Sequence, residues 1–247
     1  MIKIAVTDLE YDKAKEVFAN AEGFECVRTS SDEEILARTI REQGISHAVV
    51  GVRKYTSSLY EALPEGGVIA RFGVGYDGLD LRQASERGIL CCNTPGVLDQ
   101  SVAECAVGLM LDAARHVARC ACELRTGNWQ NRVGTELAGK TLAVIGCGAI
   151  GRRVAKIAKH GFGMHVLGHD IQAVDDPVFD ETPDDFASAV AEAHVVSLHI
   201  PDIPATSDFI NAERLALLRS DAILVNTARG GILDEDALFD AVESGRL

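Results

Sequence analysis

Basic residues are scarce relative to acidic ones: 24 Lys and Arg stand against 37 Asp and Glu in 247 residues, a net charge of −13. With no basic cluster anywhere, the composition argues against nucleic acid or an anionic membrane as the main partner. No apolar run is long enough to span a bilayer. The start, MIKIAVTDLE, is a strand-like run entering an acidic patch, without the charged and apolar regions of a signal peptide. C-x-x-C is absent among the seven cysteines (Cys26, Cys91, Cys92, Cys105, Cys120, Cys122 and Cys147), and their number is odd. Several fall inside apolar stretches, so the expectation is reduced core thiols in a cytoplasmic protein. H-E-x-x-H is absent too. His165 and His169 are four apart but flank a predicted strand, where that spacing builds no helical metal pair, and no metal is expected. The remaining balance, 47% hydrophobic and 25% charged, is that of a globular protein long enough for two modest domains.

The most informative stretch is residues 140–170, KTLAVIGCGAIGRRVAKIAKHGFGMHVLGHD. Residues 141–145 are a short aliphatic run of the kind buried on both faces of a sheet. Gly146, Gly148 and Gly151 then give G-x-G-x-x-G. The first glycine permits the turn, the second lets backbone approach a pyrophosphate, and the third lets a helix pack closely on the strand. Ile150, Val154, Ile157 and Ala158 share one face at helical spacing, so a helix starts at the loop and presents free N–H groups to phosphates. A second strand over 164–168 leads to Asp170, close to the ~20-residue offset of a ribose-binding carboxylate. No Arg or Lys follows Asp170 directly to neutralise a 2′-phosphate, which favours NAD over NADP.

Ahead of this motif, strands are predicted at 2–6, 24–27, 48–50, 68–70 and 89–92, with helices at 12–20 and from 31 onward. Ser31 to Glu34 has the form of a capping box, with Ile35, Leu36, Thr39 and Ile40 inward. Such βα alternation implies a parallel, doubly wound sheet. The RFGVGYD turn at 71–77 follows the fourth strand, where Gly73 and Gly75 could present N–H groups to an anion; taken alone, a plain glycine turn is the better reading. Residues 93–96, NTPG, read as a crossing between domains. A capping box at Ser101–Glu104 opens a helix running to about Arg119, apolar on nearly every face and therefore buried between domains or in a subunit interface. Trp129, the lone tryptophan, reads as a packing anchor in preference to a substrate platform. Further βα units follow: a helix at 184–190, a strand at 194–199, a helix at 212–218, a strand at 222–226 and a helix at 234–243 stopped by Gly245.

Taken together, RFGVGYDGLD, NTPGVLDQSVAE, the G-x-W stretch, ELAGKTLAVIGCGAIG with Asp170, SLHIPDIPAT and VNTARGGILDEDAL resemble the NAD-dependent D-2-hydroxyacid dehydrogenases. The resemblance covers nearly the whole chain. It implies an α/β fold with a Rossmann-like doubly wound parallel sheet at 97–247 and a flavodoxin-like α/β substrate domain at 1–96. It also implies that Arg229 is catalytic and holds substrate, as suits a permanently charged planar fork that can grip a carboxylate and polarise a carbonyl oxygen together. By the same resemblance Val74 and Gly75 bind the substrate carboxylate, which reverses the isolated reading of their turn. Gly146, Gly148, Ala149, Ile150 and Gly151 would meet the pyrophosphate and Asp170 the ribose. Ile200, Pro201 and Thr206 would line the adenine side, and Thr227 and Ala228 the nicotinamide side. A homodimer through the 101–119 helix region is implied as well. His199 ends a strand near the cofactor but is not taken as the general base.

The family's acid/base histidine and its glutamate lie downstream of the arginine, and residues 230–247 contain no histidine and no fitting glutamate. The expectation is a shortened form of a longer enzyme, binding NAD better than it turns over a 2-hydroxy or 2-oxo acid. A non-catalytic, NAD-binding regulator of the same fold stays open as the alternative.

Overall fold

A computed structural model describes residues 1–247, which divide into two compact units, Met1–Leu98 and Asp99–Leu247. The first contains β1 (Ile2–Thr7), α1 (Asp8–Lys13), α2 (Lys15–Ala19), β2 (Phe24–Thr29), α3 (Glu33–Gln43), β3 (His47–Val50), α4 (Ser58–Ala62), β4 (Val68–Arg71), α5 (Leu81–Glu86) and β5 (Leu90–Cys92). Its five strands are all parallel in the order β2-β1-β3-β4-β5, the flavodoxin-like order. Ala5, Ala48, Val50 and Ile69 from the strands meet Leu36, Ile40, Leu59 and Tyr60 from the helices in one core.

The second unit contains α6 (Asp99–Arg115), α7 (Val117–Arg125), β6 (Thr141–Ile145), α8 (Ala149–Phe162), β7 (His165–His169), α9 (Phe186–Val190), β8 (Val195–Leu198), α10 (Ala212–Leu215), β9 (Ile223–Asn226) and α11 (Glu235–Glu243). Its sheet, β7-β6-β8-β9, is again all parallel. β6 and β8 are buried almost throughout, because helices cover both faces. Ala103, Ala106 and Met110 of α6 pack with Val154, Ala155 and Ala158 of α8 over Leu142 and Val144 on one face. On the other, Phe186, Ala189, Leu215 and Ile232 cover Ala143, Ile145, Val196 and Leu198. No helix is long and apolar enough to cross a membrane.

Several local expectations need correction. The helix expected over 12–20 is two short ones, since Ala14 leaves helical geometry between them (φ −132°, ψ 39°). Asp32, and not Ser31, caps α3 by accepting from the N–H groups of Glu34 and Ile35; Ser31 turns away to Asp8. Packing against the sheet turns Leu36, Ala37 and Ile40 inward, while Ile35 is exposed. The long helix from 101 starts two residues earlier and breaks at His116, which adopts the left-handed conformation (φ 57°). It is also not buried all round: one face packs on α8, while Cys105, Gly108 and Leu109 are exposed. α7 buries no residue at all. Trp129 is 82% exposed and anchors nothing within the chain. Of the cysteines, all free, only Cys147 is buried; Cys92, Cys105 and Cys122 are exposed, since short edge strands and amphipathic helices alternate their faces.

Candidate functional site

In the second unit the predicted positions gather on the loops at the carboxyl ends of the four strands, where parallel α/β sheets bind ligands. The glycine loop leaves β6 through Gly146, whose φ of 98° suits glycine, and a Cβ there would lie 2.6 Å from the His199 carbonyl oxygen. A Cβ on Gly151 would lie 2.1 Å from the Gly146 carbonyl oxygen, so this glycine sets how closely α8 meets β6. Gly148 is different: its missing Cβ faces open space at the start of α8. That opening is what a pyrophosphate needs, with the N–H groups of Ala149 and Ile150 at the positive end of a 14-residue helix beside it.

Asp170 follows β7 directly and is held from two sides. The Cys147 N–H donates to its Oδ2 (2.8 Å) and the Gln172 N–H to its Oδ1 (3.1 Å). The carboxylate is thereby fixed against the glycine loop. Burial, with the neighbouring Asp170 charge second, pushes the Cys147 thiol up to about 12, so it remains a neutral packing group. Ile200, Pro201 and Thr206 form the loop after β8. Its shape comes from the Thr206 hydroxyl, which accepts from the Ile203 N–H (3.0 Å) and donates to the Pro201 carbonyl (2.5 Å).

Thr227, Ala228 and Arg229 form the turn after β9. Asn226, read in the sequence only as the end of a strand, organises it. Its Oδ1 accepts from the Ala228 N–H (3.0 Å) and its Nδ2 donates to the Arg229 carbonyl (2.7 Å). Arg229 itself is half-buried and donates from Nη1 to the Ala228 carbonyl (2.7 Å). The Thr227 hydroxyl is buried without a hydrogen-bond partner in the chain, as expected of a group kept for a ligand. The open Gly148 cradle, the anchored Asp170 and this hydroxyl together fit a dinucleotide. His199, at the end of β8, bonds through Nε2 to the Ser197 hydroxyl (2.8 Å). Burial pushes its pKa down to about 4, so it is neutral near pH 7 and tied to its own strand.

In the first unit, Val74 and Gly75 sit in the turn at the carboxyl end of β4. Gly73 has φ 134°, and the Asn93 amide donates to the Val74 carbonyl (2.6 Å). Arg71 is buried at the base of this turn, donating to the Phe72 carbonyl.

Residues 107–247 match the D-isomer specific 2-hydroxyacid dehydrogenase NAD binding domain, and residues 4–155 match the catalytic domain of the same family. The chain belongs to this family. Its cofactor is NAD. Over 252 aligned residues it is 37% identical to D-3-phosphoglycerate dehydrogenase of Methanocaldococcus jannaschii, covering 100% of this chain and 48% of that one. It is 38% identical to hydroxypyruvate reductase of Thermotoga maritima, covering 99% of this chain and 80% of that one. The chain thus spans about half the length of the first relative and four-fifths of the second. Among solved structures, the TT0316 protein from Thermus thermophilus superposes with a TM-score of 0.83 at 32% identity, covering 98% of this chain and 78% of that one. D-lactate dehydrogenase from Aquifex aeolicus, complexed with NAD and lactic acid, superposes with a TM-score of 0.84 at 27% identity, covering 99% and 74%.

Proposed function

We propose that the chain carries the cofactor-binding and substrate-gripping residues of an NAD-dependent D-2-hydroxyacid dehydrogenase. The observation that carries this reading is the Asn226-braced turn, which holds Arg229 at the same sheet edge as the glycine loop and Asp170. NAD supplies a nicotinamide that accepts or returns a hydride at C2 of the hydroxy acid. Unit Met1–Leu98 serves as the substrate domain and Asp99–Leu247 as the cofactor domain. Val74 and Gly75 offer backbone N–H groups to the substrate carboxylate. Arg229 grips that carboxylate and polarises the adjacent carbonyl oxygen. Gly146, Gly148, Ala149, Ile150 and Gly151 form the pyrophosphate cradle, and Asp170 takes the ribose hydroxyls. Ile200, Pro201 and Thr206 wall the adenine side; Thr227 and Ala228 wall the nicotinamide side, with the Thr227 hydroxyl as a polar contact.

Proton transfer needs a histidine paired with a glutamate; residues 230–247 hold no histidine, and their two glutamates, Glu235 and Glu243, belong to α11. A second copy would pack along α6 and α7, whose exposed Leu109, Val117 and Leu124 have no cover within the chain.

The test is a titration of the 1–247 chain with NADH, followed by oxamate, a planar analogue of a 2-oxo acid, monitored by nicotinamide fluorescence. NADH should bind, and oxamate should bind the NADH complex. Arg229→Ala should weaken oxamate by about a hundredfold, the loss of a charge-assisted forked contact, and leave NADH affinity intact. Failure of the unaltered chain to bind NADH would overturn the reading. Reduction of glyoxylate, pyruvate or hydroxypyruvate by this chain at ordinary enzymatic rates would show that residues within 1–247 supply the proton.

A further inference from the structure

The turn at 71–77 offers its two key N–H groups only if two peptide planes are correctly rotated. Asn93 and Thr94 hold both. The Thr94 N–H donates to the Gly73 carbonyl (3.0 Å), and the Asn93 side-chain amide donates to the Val74 carbonyl (2.6 Å). A trans peptide is planar, with its C=O and N–H pointing in opposite directions. Fixing the Gly73 carbonyl toward Thr94 therefore aims the Val74 N–H away from Thr94. Fixing the Val74 carbonyl toward Asn93 aims the Gly75 N–H away from Asn93 in the same manner. Successive N–H groups aimed outward from a glycine turn make an anion-binding concavity. Neither carbonyl lies within a strand, so no ladder bond sets these planes. Gly73, at φ 134°, sits where the backbone has the most freedom to turn otherwise.

We propose that Asn93 is a positioning residue for the carboxylate of the substrate: it touches no substrate atom but sets the direction of the Gly75 N–H, with the Thr94 backbone doing the same for Val74. This rests on the reading of Val74 and Gly75 as carboxylate donors.

The test uses Asn93→Asp and Asn93→Ala in the 1–247 chain, with NADH and then oxamate titrated as above. Asn93→Asp keeps the size of the side chain and replaces its donor by an acceptor, so it carries the test even if Asn93→Ala fails to fold. Both variants should weaken oxamate by about tenfold, the worth of one oriented hydrogen bond, while NADH affinity stays within about twofold. A merely structural role would move both affinities together. Oxamate binding by Asn93→Asp equal to that of the unaltered chain would overturn the proposal, as would a parallel loss of NADH. Absence of oxamate binding in the unaltered chain would instead sink the carboxylate-site reading on which it depends.

Discussion

Single side chains at this site work through the backbone they hold. Asn226 and Asn93 each lock a turn through the side-chain amide, and Asp170 is itself locked by the Cys147 N–H before any ligand arrives. His199 makes a testable statement about pH. Its folded pKa of about 4 lies below the ordinary 6.5, so protons bind the unfolded chain more tightly. Its neutral form is favoured by folding, so stability holds above pH 6.5 and falls as pH drops toward 4, by up to about 3 kcal/mol. His194, which accepts the Thr141 N–H through Nδ1 (3.2 Å), is shifted downward too, by burial first and then by Lys140 and Arg219. Urea denaturation between pH 7 and 5 should show the fall, and His199→Gln should show a shallower one. Equal slopes in the two proteins would remove His199 from the account.

At the level of the strand–loop–helix element, the three glycines do separate jobs, and substitution should separate them. Gly148→Ala places a methyl group in open space at a φ of −72°, where alanine is unstrained. Thermal stability should be unchanged while NADH affinity falls at least tenfold, because the methyl group occupies the pyrophosphate cradle. Gly151→Ala drives a methyl group into the Gly146 carbonyl and the Val144 side chain, so α8 must lift from β6. A loss of about 2–3 kcal/mol is expected in chemical denaturation. If Gly148→Ala unfolds as easily as Gly151→Ala, the cradle is packed space and this division is wrong.

For the whole molecule, two units with separate cores imply two unfolding events that a cofactor distinguishes. NADH at a hundred times its dissociation constant should stabilise Asp99–Leu247 by about 2.7 kcal/mol and leave Met1–Leu98 nearly unmoved. Calorimetry with and without NADH reads this directly. A shift confined to the first unit would place the cofactor wrongly.

Much of this was already legible in the chain. Parallel, doubly wound sheets follow from βα alternation with short connections, and the glycine loop with Asp170 is a local pattern whose spacing encodes its own geometry. The family resemblance in RFGVGYD and VNTARGG pointed to the chemistry. Phase and burial were less legible. Asp32 displaced Ser31 as the α3 cap because Ser31 had a better partner in Asp8, and His116 broke a helix that periodicity ran through. Trp129 faced outward although tryptophan usually packs inward. What the residues settled by themselves were features determined by neighbours within one βαβ unit. Tertiary structure alone decided the rest. The amides of Asn93 and Asn226, the open space at Gly148 and the orphan hydroxyl of Thr227 depend on segments meeting after the sheet has formed, and no periodicity records such meetings.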